Sequence, residues 1–163
     1  MRIPSIKTKI VQFIHNQRVA REERFLNKYV SINSSLEGDV FEQLHSARKV
    51  IANYAKRNGV TVEIADAERR VSEEIFEFDI DERMAKRAAQ DNLDVIVRPI
   101  KPLKTNNDDN ILVAFCKQVK RDVNHVTIHK PDERHEYQDS FLRSIYRCIE
   151  KSVKSLQKIA NKT

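Results

Sequence analysis

Near its C-terminus the chain repeats apolar residues at steps of three and four: Leu142, Ile145, Ile149, Val153, Leu156 and Ala160. At about 100° per residue that spacing draws one stripe along a helix, and a helix with such a stripe must lie on a core. Arg143, Arg147, Lys151, Lys154, Lys158 and Lys162 step in the same way, which sets them almost opposite the apolar stripe. The segment is expected to be a long amphipathic helix, entered near Asp139 or Ser140, with one face on the core and six cations outward.

What lies under that helix is read from the rest of the chain. After the SINSS segment, taken as a loop, Ser34 and Glu37 have capping-box spacing. Val40, Leu44, Ala47, Ile51 and Tyr54 then line one face of a second helix that stops at Gly59. Val60, Val62 and Ile64 alternate with Thr61, Glu63 and Ala65, the period-two mark of a half-buried strand. Further strands are expected at 75–80, 93–100, 111–119 and 123–128, with a short helix over 81–90 and an exposed connection over 101–110. Ile6, Ile10, Phe13 and Ile14 are out of phase with Phe25, Leu26, Tyr29 and Val30, so residues 5–31 form one helix with two contact faces or two short helices.

At 163 residues the chain suffices for one domain that hides roughly two-thirds of its unfolded surface, and two domains would be cramped. The expectation is a single α+β domain over 1–163: a mainly antiparallel sheet of four to five short strands packed by two long helices, with 1–33 an N-terminal helical segment at one end. Strand order does not follow from the residues.

Lys and Arg outnumber Asp and Glu by 30 to 24, a formal charge of +6, which attracts polyanions and acidic protein surfaces at long range. The only glycines, Gly38 and Gly59, cannot build a glycine-rich phosphate cradle of the Walker or dinucleotide-binding kind. Cys116 and Cys148 sit in apolar surroundings and read as small buried hydrophobes in a reducing, cytoplasmic compartment. The IVQFIH run is too short for a signal-peptide core or a membrane span, so no membrane partner is expected.

Candidate chemistry is sparse. His125, His129 and His135, with Cys116, are zinc-type ligands, but no closely spaced cysteine pair accompanies them, so solvated or capping histidines and no metal are expected. Glu73, Glu74, Glu77, Asp79, Asp81 and Glu82 include pairs that can hold magnesium, yet alternation along a strand and the start of a helix account for them. Ser72, Ser140, Cys116 and Cys148 lack the glycine-flanked elbow of an activated nucleophile, and neither catalysis nor a cofactor is indicated.

The cationic stripe is the leading feature, because a row of Lys and Arg can lie along a phosphate backbone and displace its counterions. The site residues expected are Arg143, Arg147, Lys151, Lys154, Lys158 and Lys162, joined by Arg18 and Arg21 if the first helix packs beside the last. Four of the six C-terminal cations are lysines, which favours contact that does not read base sequence. The expectation is a non-catalytic nucleic-acid-binding or regulatory protein. The alternative is an interaction module, an inhibitor or accessory subunit, that docks on an acidic partner or on its own copy as a homo-oligomer.

Overall fold

A computed structural model describes residues 5–67, 91–101, 110–112, 114, 125–130 and 138–161. Among these, three helices, α1 (Ile6–Tyr29), α2 (Gly38–Asn58) and α3 (Gln138–Asn161), accompany four strands, β1 (Val30–Asn33), β2 (Val60–Asp66), β3 (Asn92–Pro99) and β4 (His125–His129). The strands form one sheet in the order β1-β2-β3-β4. β1 and β2 are parallel, joined through α2, and the two remaining pairings are antiparallel. The fold is therefore α+β with a mixed sheet.

Register explains the core. Val62 stands opposite Val30 and Val97, Ile64 opposite Ile32 and Val95, and Leu93 opposite Ile128, so one face of the sheet is a lattice of branched aliphatic side chains. Val62, Ile64, Leu93, Val95 and Val97 are all buried. α2 covers this lattice with Val40, Leu44, Ala47, Ile51 and Ala55, and α3 adds Phe141, Ile145, Ile149, Val153 and Leu156. The other face is mixed: Arg98 pairs with Glu63 at 2.6 Å and Thr127 donates to Asp94 at 2.7 Å, with Ile96 and Ala65 in the same rows.

Both glycines hold positive φ, +67° at Gly38 and +65° at Gly59. Gly59 is the left-handed stop that the sequence predicts, and its N–H donates to the carbonyls of Ala55 and Lys56. The start of α2 differs from expectation. Ser34 and Glu37 form no capping box: Glu37 makes no side-chain cap bond, and the N–H of Ser35 donates instead to Asp66 Oδ2 at 2.8 Å. Asp66 also pairs with Lys130 at 2.8 Å, and Lys130 Nζ donates to Ser35 Oγ at 3.2 Å.

This cluster ties the segment before α2 and the ends of β2 and β4 together at one edge of the core. Lys130 and Asp66 keep only 14% and 22% of their side-chain surface, so removing one charge strands the other in a poorly hydrated place. Lys130→Met is expected to lower unfolding free energy by about 1–2 kcal/mol, a buried-pair figure reduced for partial exposure and read from the urea midpoint.

Two further expectations change. The SINSS segment is not all loop, because Ser31, Ile32 and Asn33 continue β1. The strand expected over 111–119 is contradicted where it is described: Ile111, Leu112 and Ala114 are helical, and Ala114 N–H donates to the Asn110 carbonyl at 3.1 Å. Of the two alternatives for residues 5–31, the single helix is the one observed, as α1. The strand expected at 75–80 and the helix at 81–90 lie outside the described residues, whereas those at 93–100 and 123–128 correspond to β3 and β4.

Candidate polyanion-binding face

α3 is a helix because its apolar side chains fall on one side, and packing holds it. Isolated helices are marginal in water, and this one carries like charges at i,i+4 in Arg143–Arg147, Arg147–Lys151 and Lys154–Lys158, and at i,i+3 in Lys151–Lys154. Those pairs oppose the helix by roughly 1–2 kcal/mol together. Burial of Ile145, Ile149, Val153 and Leu156, each at 4% exposure or less, outweighs that, since each is worth about 1.5–3 kcal/mol.

The outer side is as the spacing predicts. Arg143, Arg147, Lys151, Lys154 and Lys158 are all exposed and fall within an arc of about 80°, and from the first to the last the helix rises roughly 22 Å. Lys162 lies outside the described residues. No ion pair among the described residues includes any of the five; the pairs present are Lys49–Glu22, Arg98–Glu63 and Lys130–Asp66. Glu150 is the one carboxylate between 141 and 161, and it turns toward α2, where its charge helps burial push the Tyr54 phenol up.

Arg18 and Arg21 are exposed on α1 but do not join this stripe through direct packing. The main partners of α1 are α2, β1 and β2, while those of α3 are α2, β3 and β4, so α2 is the helix they share. The condition on which Arg18 and Arg21 would join, packing of the first helix beside the last, is thus not met; the two have α2 in common. Glu22 reaches across to Lys49 of α2 at 2.6 Å, and that bond holds its carboxyl below the usual range.

Cations that the stripe argument missed stand at the end of α2. Asn58 accepts from Gln157 at 3.3 Å, which brings the last turn of α2 alongside α3; there exposed Arg57 lies by Tyr146 and Glu150, while exposed Lys56 lies over the Phe25 ring of α1. Basic residues in a last turn are ordinarily read as complementing the helix dipole, so only the tertiary contacts give these two a second meaning.

Among the described residues the other candidates gather no chemistry. His129 faces Asn92 Oδ1 at 3.3 Å, His125 lies on β4, and His135 is outside the described residues, as are Cys116, Ser72 and the acidic run 73–82. Among the described residues no three His, Cys, Asp or Glu side chains come together as metal ligands, and no helix is long and apolar enough to cross a membrane. Ser140 lies in the first turn of α3. Cys148 is half-buried, and burial pushes its thiol up while Lys151 pulls the other way. At pH 8 iodoacetamide is expected to modify Cys148 several-fold more slowly than a free cysteine peptide, as mass mapping of its tryptic fragment will read, because less of it is thiolate.

No family model, curated protein or solved structure matches this chain, so its own geometry is what speaks for a function.

Proposed function

We propose that the chain is a non-catalytic nucleic-acid-binding or regulatory protein that grips phosphate backbone through the outer face of α3. One observation carries this reading: five exposed cations in a single row on a packed helix, with no described carboxylate paired to them. A formal charge of +6 adds long-range attraction. Three of the five are lysines, point charges without a guanidinium's forked geometry, which suits contact along a backbone more than discrimination between bases.

Fluorescence anisotropy with labelled duplex DNA and duplex RNA, from about 20 to 200 mM salt, tests it. Log affinity should fall linearly with log salt at a slope of about −3.5 to −4.5 for four or five phosphate contacts on DNA. Absence of binding at the low-salt end overturns the proposal.

A second reading, an interaction module docking on an acidic partner or self-associating, is favoured by a different observation. The first half of α1 leaves Ile6, Ile10, Phe13 and Ile14 at 79%, 53%, 63% and 60% exposure. Apolar side chains clustered along one stretch of surface mark a contact surface more often than isolated ones do.

A further inference from the structure

The exposed half of α1 has a complement on the same molecule, in the groove between α2 and α3. These helices run in the same direction, since Asp39 and Glu42 of α2 lie by Leu142 while Asn58 lies by Gln157. Between them are two hollows of about 680 and 240 Å³ that share Val50 and Tyr146. Val50 is 59% exposed on the wall, and Leu142, Tyr146 and Tyr54 supply further apolar surface. Carboxylates stand on both walls, Asp39 and Glu42 on α2 and Glu150 on α3, with Arg57 the one cation among the lining residues.

The pattern on α1 answers that of the groove. At about 100° per residue Ile6, Ile10, Phe13 and Ile14 fall within an arc of about 100°. Lys7 and Arg18 lie along one flank of that arc and Lys9 along the other, and residues 5–21 contain no acid. An apolar stripe edged by cations on both sides matches a groove in which Val50, Leu142 and Tyr146 stand beside Gln43 and Ser46, with carboxylates on both walls, which is the helix-in-groove mode of recognition.

The helix cannot use its own groove. α1 runs unbroken from Ile6 to Tyr29, and its C-terminal half is fixed by Phe25, Leu26 and Tyr29 against the core and by Arg48, which donates to Asn27 Oδ1 and to the Val30 carbonyl. Pairing two α1 stripes with each other is no better: an antiparallel pair centred between Ile10 and Phe13 sets Lys7 of one copy at the level of Asn16 of the other, about 3 Å along the axis from Arg18 on the same flank, so cations approach each other and no acid answers them.

We infer that the first half of α1 docks in the α2/α3 groove of a second copy of this chain, so that the protein self-associates by exchange of its N-terminal helix. The inference rests on the interaction-module reading and is independent of nucleic-acid binding. Two unlike surfaces meet, so the assembly closes as a pair when each copy gives its helix to the other and otherwise extends head to tail.

Sedimentation velocity on the full chain, up to about 100 µM, tests this. The wild type should shift from monomer to dimer or larger species with concentration. Phe13→Asp on the helix and Val50→Glu in the groove should each weaken association about 100-fold or more, with unchanged circular dichroism because both side chains are exposed in the single molecule. Mixing the two variants should restore a 1:1 complex, since one keeps an intact groove and the other an intact helix. A wild type that stays monomeric throughout overturns the inference, as does association that Phe13→Asp abolishes and Val50→Glu leaves unchanged. If the wild type stays monomeric yet binds phosphatidylserine vesicles through Phe13, self-docking fails and the stripe belongs to a lipid surface. A monomer that binds a purified acidic protein in a Phe13-dependent way likewise ends self-docking but preserves the interaction-module reading.

Discussion

Replacing Arg143, Arg147, Lys151, Lys154 and Lys158 together by glutamine is expected to remove most of the salt dependence of duplex DNA binding and to leave the fold intact. Five phosphate contacts give a log–log slope near −4.5, so the wild type should lose roughly 10²–10³ in affinity between about 50 and 200 mM salt. Without those charges the slope should approach zero, and each single substitution should lower its magnitude by about 1. The five side chains are exposed, so the substitutions remove no core contact, and they relieve the like-charge pairs along α3. The variant should be as stable as the wild type or slightly more so, which separates loss of binding from loss of folding. Arg18→Gln with Arg21→Gln is the comparison: those residues stand on a helix whose main partner in common with α3 is α2, and they should act mainly through the long-range field. If the five-fold variant keeps the wild-type slope, α3 is not the contact surface.

How far this was legible in the residues differs between elements. α3 was readable because every position in its two stripes obeys one period, and α2 because a stripe of the same kind ends on a glycine that must take the left-handed conformation. β1 was not, since Val30 and Ile32 are its only apolar residues and four residues offer too few alternations to tell a strand from a loop. The run from Ile111 failed for a related reason: a short apolar stretch fits either period, and here its first residues follow Asn110 into a helical turn. The capping box failed because α2 begins at Gly38, with Glu37 rather than Ser34 at its N-cap, and the segment before it is held from afar, by Asp66, 31 residues beyond Ser35.

The two faces of α1 were visible as a phase shift, but what each meets was not. Phe25 and Tyr29 pack as a pair with ring centroids 5.3 Å apart and Lys56 of α2 over the Phe25 ring at 5.6 Å, whereas Ile10 and Phe13 stay 53% and 63% exposed in the single molecule. The groove opposite them draws Glu42 and Glu150 from positions more than a hundred residues apart, and no window along the chain contains both. Sequence periodicity finds faces, and only tertiary packing assigns them neighbours.

Ile145→Ala is expected to lower unfolding free energy by about 2–5 kcal/mol, whereas Arg147→Ala, two positions on, should change it by less than about 0.5 kcal/mol. Ile145 is 0% exposed, and α3 sets it on a sheet face where Leu93, Val95 and Val97 are equally closed to solvent, so deleting its outer carbons opens a cavity that close-packed strands cannot collapse into. Against a usual total of about 5–15 kcal/mol this is a large share, and urea unfolding followed at 222 nm would resolve it. The substitution also tests what couples fold to function. If the cations form a row only because packing holds α3 rigid, Ile145→Ala should weaken DNA binding increasingly on heating, as α3 detaches before the sheet melts. DNA should in turn raise the melting temperature of the wild type, because phosphates bind the folded row and neutralise its internal repulsion. A small loss of stability from Ile145→Ala, under about 1 kcal/mol, would mean that α3 does not rest on the core and that its two stripes are a coincidence of composition.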